Sequence, residues 1–212
     1  MREAYNKQLE KLHNELTLMG AMCEEAIDCA IRGLVLNDRQ LRQRALELER
    51  EIDDKEREIG FFCVMLLIRE QPVARDLLFI TRSQKMINDM ERIGDNAADI
   101  AFLFEQSEDE QRYFVGKYME DMARSVSKII SDAVDCFVKN KVEEAKDIIL
   151  FDDVIDNHFR EIKKDFIKHI EEDGKNAEIW LDILMTAKYL ERIGDHAKNI
   201  AKLVVYTIGD QR

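Results

Sequence analysis

Apolar residues recur at intervals of three and four positions along most of this chain. Over residues 5–35 they fall on one side of a helix, at Leu9, Leu12, Leu16, Met19, Cys23, Ala26 and Ala30. This spacing is typical of an amphipathic α-helix with one buried face. We predict that a second helix follows an N-cap at Asn37 or Asp38. Pro72, the single proline, suits the first turn of a third helix, since a proline there sacrifices no helical hydrogen bond.

The same plan repeats after a polar break at Ser107–Glu110. The pattern predicts a fourth helix up to Asn140, a fifth that closes at Asp173–Gly174, and a sixth in the register of the third. Three long helices joined by short turns form an up-down-up bundle. The predicted fold is therefore all-α, with six long helices in two tandem repeated three-helix bundles, at residues 1–106 and 107–212.

Charge and composition narrow the function classes. The formal net charge is -12, which would repel a phosphate backbone, so we expect no nucleic-acid partner. The longest apolar run, residues 61–68, is far shorter than the roughly 20 residues of a membrane span. The opening residues are polar, unlike a secretory signal. The cysteines lack CxxC spacing, so we interpret Cys23, Cys29, Cys63 and Cys136 as core thiols in a reducing, cytoplasmic compartment.

One eleven-residue motif occurs twice. ERIGDNAADIA spans residues 91–101 and ERIGDHAKNIA spans residues 191–201, with eight of the eleven positions identical. On a helix, residues four positions apart project from the same face, so each copy presents a Glu and an Asp together: Glu91 with Asp95, and Glu191 with Asp195. The motif glycines, Gly94 and Gly194, leave room where another helix or a ligand comes close.

Each motif has an acidic companion on the preceding helix. The companion pairs are Glu49 with Asp53 in the first bundle, and Asp152 with Asp156 in the second. In antiparallel helices, residues equidistant from the connecting turn face each other. In the first bundle, position 72 lies midway between the companion pair on the second helix and the motif pair on the third. In the second bundle, positions 173–174 lie midway between the companion pair on the fifth helix and the motif pair on the sixth. Four carboxylates should therefore converge in each bundle, about 30 Å from its turn.

Converging carboxylates indicate a cation site. With no Lys or Arg on the apolar seam to compensate them, their hard oxygens suit one or more metal ions. Asp99, one turn after Asp95, could extend the set. The alternative is that Arg92 and Arg192 pair with the nearby acids in surface ion networks. The ExxH pairs of ferritin-like di-iron bundles do not occur, and no nucleophile–base set or phosphate-binding glycine loop can be assembled. No catalytic or organic-cofactor residue is therefore predicted.

The doubled motif, its acidic companions and the duplicated three-helix plan resemble the PhoU family of phosphate-signalling regulators over essentially the whole chain. The resemblance implies that both acidic sets match the family's multinuclear metal-cluster motifs, with iron or zinc as the metal and magnesium or manganese as alternatives. Glu49 stands where the family more often has Asp. The metal residues expected from the residue pattern and the resemblance together are Glu49, Asp53, Glu91, Asp95, Asp99, Asp152, Asp156, Glu191 and Asp195.

The resemblance also implies a regulator and no enzyme. We expect a cytoplasmic homodimer that reaches the membrane only through its partners, a phosphate ABC transporter and a sensor histidine kinase. Its expected role is to restrain phosphate uptake and the phosphate-starvation response when phosphate is plentiful. Two alternatives stay open: an accessory protein of a low-affinity phosphate transporter, and a carboxylate-bridged metalloenzyme, which would need an open coordination position.

Overall fold

The computed structural model describes residues 2–103, 117–172 and 177–209. Its elements are six α-helices: α1 (Arg2–Val35), α2 (Arg39–Glu70), α3 (Ala74–Leu103), α4 (Lys117–Lys139), α5 (Val142–Glu172) and α6 (Ala177–Gly209). The described residues contain no strand. The all-α prediction is confirmed.

The first turn is capped as the sequence predicts. Asp38 is the N-cap of α2, and its Oδ1 accepts hydrogen bonds from the backbone amides of Gln40 at 2.8 Å and Leu41 at 3.2 Å. Asn37, just before it, has a φ of 50°, a left-handed conformation that Asn tolerates better than most residues. The cap satisfies amides that would otherwise lack a partner at the start of a helix.

The second turn differs from the prediction at Pro72. Helix α2 ends at Glu70 with Gln71 in the left-handed region, and α3 begins at Ala74. Pro72 therefore lies in the connection and not in the first turn of α3. Helix α4 ends at Lys139 before the left-handed Asn140, as expected.

The expected breaks at Ser107–Glu110 and Asp173–Gly174 both lie outside the described residues. The boundary between residues 106 and 107 lies there too, so it stays a prediction.

Each half of the chain is a bundle of three helices. Helices α1, α2 and α3 all contact one another, and so do α4, α5 and α6. The two bundles join where α3 packs on α6 and α1 packs on α4. Gly20 lies at the second of these contacts, where an added Cβ would come within 2.9 Å of the Val134 side chain. The predicted tandem plan is confirmed, and its two motif helices, α3 and α6, lie against each other.

The cysteines belong to this core. Cys23, Cys29, Cys63 and Cys136 are buried and free of disulfides, which confirms their interpretation as core thiols. Burial raises the pKa of Cys63 to about 12 and that of Cys136 to about 11, so neither thiol ionises readily at neutral pH. Within the described ranges, no helix combines the length and the apolar character that a membrane crossing needs.

Candidate metal centre

The acids of the first bundle meet between α2 and α3. Helix α2 contributes Glu49 and Asp53, and α3 contributes Asp95, with carboxylate oxygens that all lie within 4.8 Å of one another. All three residues are half-buried. The turn-symmetry argument thus placed the two helices at the correct level. Three converging carboxylates offer several hard oxygen ligands to one cation.

Glu91, the fourth predicted acid, lies beside this trio but outside its 4.8 Å limit. Its Oε2 is 3.2 Å from Nε of Arg92, and Nη1 of the same guanidinium lies 2.8 Å from Oδ2 of Asp95. The Arg92 side chain is 61% exposed, so these ion pairs resemble solvated surface contacts and contribute about 0–1 kcal/mol each. The surface network considered from the sequence is therefore present at Arg92, and it includes Asp95, a member of the trio.

Burial and crowding make these carboxylates reluctant to ionise together. Burial raises the pKa of Glu49, and the neighbouring charges of Asp53 and Asp95 raise it further. The pKa of Glu91 is raised by burial first and then by Asp95, while Arg92 works in the opposite direction. A cation at this position would relieve the same repulsion, so the residues present fit a metal ion.

The second bundle places its acids at the equivalent level but supplies its own cations. Asp152 is buried, and Nζ of Lys198 donates to its Oδ2 at 2.5 Å. Nζ of Lys188 lies 2.5 Å from Oε2 of Glu191. Burial and the charge of Asp152 raise the pKa of both Asp156 and Asp195, and Lys198 opposes each shift. The expectation that no lysine compensates the acids is therefore wrong for this bundle.

The motif glycines allow close contact between helices. A Cβ on Gly94 would lie 3.1 Å from Cδ1 of Ile52 on α2. A Cβ on Gly194 would lie 2.9 Å from Cδ1 of Ile155 on α5, and 3.3 Å from Oδ1 of Asp152. Of the two roles left open by the sequence, close helix packing accounts for both glycines. That packing brings the acidic faces of each helix pair together.

Asp99 faces the neighbouring bundle. Its carboxylate hydrogen-bonds to Tyr189 and is attracted by Arg192, both on α6. Burial raises the pKa of Asp99, with a further contribution from Asp95. Asp99 does not belong to the trio of close oxygens in the first bundle. Its role as a metal ligand stays a prediction, while its contact with α6 links the two bundles.

A second polar contact crosses the same interface. Nδ1 of His196 lies 2.9 Å from Oδ1 of Asp89, and the Asn199 amide lies 3.5 Å from the same oxygen. The sequence reasoning missed Asp89, Lys188 and Lys198. Lys198 had a visible signal, because it stands opposite Ala98 at one of the three positions where the two motif copies differ.

Known proteins of one family share this duplicated architecture. The model of the PhoU domain matches the chain twice, over residues 16–103 and 119–204. A phosphate-specific transport system accessory protein PhoU homolog from Pseudomonas putida is 32% identical over 97% of this chain and 81% of its own length. The protein called PhoU in Escherichia coli K12 is 28% identical over 98% of this chain and 86% of its length. These relatives are named as accessory proteins of transport rather than as enzymes.

Two solved structures of PhoU proteins have the same fold as this chain. The crystal structure of PhoU from Pseudomonas aeruginosa superposes with a TM-score of 0.88 at 30% identity, covering 98% of this chain and all of that one. A phosphate transport system regulatory protein PhoU from Streptococcus pneumoniae, at 22% identity, has the same fold with a TM-score of 0.88 and 98% coverage of both chains. Two family domains in tandem, relatives above 30% identity over nearly the whole chain, and a shared fold lead to one conclusion: this chain belongs to the PhoU family.

Proposed function

We propose that this protein is an accessory regulator of phosphate transport. The observation that carries the proposal is likeness along the whole chain, since both bundles match the PhoU domain and the named relatives align over nearly all of it. In detail, the protein acts in the cytoplasm as a homodimer between a phosphate ABC transporter and a sensor histidine kinase. It restrains phosphate uptake and the starvation response when phosphate is plentiful.

The proposal includes metal binding in the first bundle. Glu49, Asp53 and Asp95 would hold the ion, supported by the 4.8 Å grouping of their oxygens and by the raised pKa of Glu49. Glu91 stands next to Asp95 and would complete the acidic set. Iron and zinc are the first candidates, with magnesium or manganese as alternatives, because carboxylates bind all of these ions. The ion would supply fixed positive charge that holds α2 and α3 in one relative position.

Deletion of the gene, followed by complementation with the wild-type gene, tests the regulatory role. Deletion of the gene should raise the expression of a phosphate-starvation reporter several-fold in high-phosphate medium, and the wild-type gene should restore repression. A deletion strain with unchanged reporter expression and unchanged phosphate uptake would overturn the regulatory assignment. If phosphate uptake through a low-affinity transporter changed and the starvation reporter did not, the low-affinity alternative would replace it.

Paired variants test the part played by the metal residues. Glu49→Gln with Asp53→Asn should lose repression, because neutral amides bind cations far more weakly than carboxylates. Glu47→Gln is a control on the same helix, because Glu47 lies on an exposed face of α2, where it accepts a weak 3.4 Å hydrogen bond from Gln43. Full repression by the folded double variant would contradict a regulatory role for the metal.

A further inference from the structure

The two acidic clusters differ in the cations that the chain itself provides. In the second bundle, Nζ of Lys198 lies 2.5 Å from a carboxylate oxygen of Asp152, whose side chain is only 3% exposed. The equivalent position of the first bundle, one hundred residues earlier, is Ala98, which carries no charge. An ammonium is therefore present inside one cluster and missing from its counterpart.

Lys198 interacts with most of its cluster. Besides the bond to Asp152, its ammonium is attracted by Asp195 and Asp156, which belong to the two facing helices. The fourth acid, Glu191, is paired with Lys188. The first bundle has Asn88 at the position that corresponds to Lys188. Both lysines that pair with the second cluster thus have uncharged counterparts in the first, where the Arg92 guanidinium next to Asp95 and Glu91 is 61% exposed.

The carboxylate oxygens also lie closer together in the first bundle than in the second. Within the described part of the chain, the oxygens of Glu49, Asp53 and Asp95 are the only group of three potential ligands that come within 4.8 Å of one another. The second bundle contains no such group among its described residues, and its deepest carboxylate already accepts a hydrogen bond from an amine. A divalent cation that displaced this ammonium would have to break the salt bridge between Lys198 and Asp152, and one that bound beside it would be repelled by the like charge.

We propose that Lys198 is a built-in counter-cation that closes the second carboxylate cluster to metal, so that the chain binds metal in its first bundle only. The inference deepens the proposed metal-binding role and rests on it for the first bundle. The acidic set at Asp152, Asp156, Glu191 and Asp195 does not fit a metal ion while Lys198 is in place. Its salt bridge instead ties α5 to α6, and the two halves of the chain have divided their roles.

The test exchanges the two residues that distinguish the bundles. Three proteins are compared after chelator treatment and desalting: the wild type, Lys198→Ala and Ala98→Lys. Each is titrated with manganese(II), and bound ion is counted by electron paramagnetic resonance and elemental mass spectrometry. We expect Lys198→Ala to gain manganese and Ala98→Lys to lose it, each with a change of at least tenfold in apparent affinity.

A variant that lacks two carboxylates of the first bundle shows which bundle holds the manganese. In Glu49→Gln/Asp53→Asn the otherwise wild-type chain should bind no manganese, and addition of Lys198→Ala should restore binding. Lys202→Ala is the matched control, because Lys202 lies one turn further along α6 and bonds to Asn199 instead of a carboxylate. It removes the same charge and should leave manganese binding as in the parent.

A second readout does not depend on counting ions. In chelator, Lys198→Ala should melt below the wild type, because Asp152 then lacks its partner, and manganese should raise the melting temperature of this variant more than that of the wild type. Folded Lys198→Ala that gains no manganese would overturn the inference. So would manganese bound by the second bundle while Lys198 is present. Manganese bound by Lys198→Ala and not by the wild type would uphold closure by Lys198 and contradict metal binding in the first bundle.

Discussion

The two partners of the salt bridge between Asp152 and Lys198 should be unusually strongly coupled, so that loss of either one alone is costly. The Asp152 side chain is 3% exposed and the Lys198 side chain is 25% exposed. Removal of one partner from a fully buried pair costs about 3–5 kcal/mol, and the partial exposure of Lys198 reduces this cost to roughly 2–3 kcal/mol for Lys198→Met. The loss arises because the Asp152 carboxylate is left buried without its donor.

A double-mutant cycle separates the pair from its surroundings. Asp152→Asn combined with Lys198→Met removes both charges at nearly constant volume, so its free energy of unfolding should lie within about 1 kcal/mol of the wild type. The coupling energy is the sum of the two single costs less the cost of the double variant, so it should be at least about 1–2 kcal/mol from the Lys198→Met cost alone, and larger by whatever Asp152→Asn costs. Urea unfolding in the presence of chelator, followed by far-ultraviolet circular dichroism, measures all four corners of the cycle.

A surface pair at the same distance, within one helix, provides the control. Asp135 and Lys139 are also 2.5 Å apart, but their side chains are 58% and 52% exposed. The same cycle at this pair should give about 0.3–0.5 kcal/mol, as is usual for exposed pairs one helical turn apart. Equal coupling energies for the two pairs would refute the argument that burial makes the Lys198 contact strong.

Three further outcomes follow from the structure. Asp38→Ala should lower the free energy of unfolding by about 1 kcal/mol in urea titrations, because the α2 cap is lost; an unchanged midpoint would contradict this. In chelator, the raised pKa values of Glu49 and Asp156 mean that the folded state binds protons more tightly than the unfolded state. Stability should therefore fall as pH rises from the ordinary carboxylate range through these raised values, and Glu49→Gln should reduce that slope. Cys63, with a pKa of about 12, should resist alkylation at pH 8 until urea unfolds the chain, as mass spectrometry will show.

The sequence predicted the parts of the fold that depend on local patterns. Helical periodicity identified six helices, and local chemistry indicated a stop before Asn140 and a cap at Asn37 or Asp38, of which Asp38 forms the cap. Turn symmetry brought Glu49 and Asp53 opposite Asp95, because antiparallel helices of equal rise keep their register over many turns. The start of α3 was misplaced by two residues because a proline is compatible with a connection as well as with a first helical turn.

The sequence did not predict features that depend on packing between helices. Lys198 lies beside the apolar seam, and its long side chain reaches across to Asp152 on α5, a contact that seam positions alone do not reveal. Asp99 was grouped with the acids of its own helix, but it contacts Tyr189 because α3 packs on α6. Periodicity within one bundle carries no information about how the two bundles meet.

Anomalous diffraction from crystals of untagged protein, purified without chelator, tests the central claim most directly. Data collected on both sides of the absorption edge of the bound metal place each ion in the structure. The account predicts anomalous peaks between α2 and α3, against Glu49, Asp53 and Asp95, and Lys198 bonded to Asp152 with no peak between α5 and α6. A peak among Asp152, Asp156 and Asp195 would contradict it. So would crystals that contain metal but show no anomalous peak between α2 and α3.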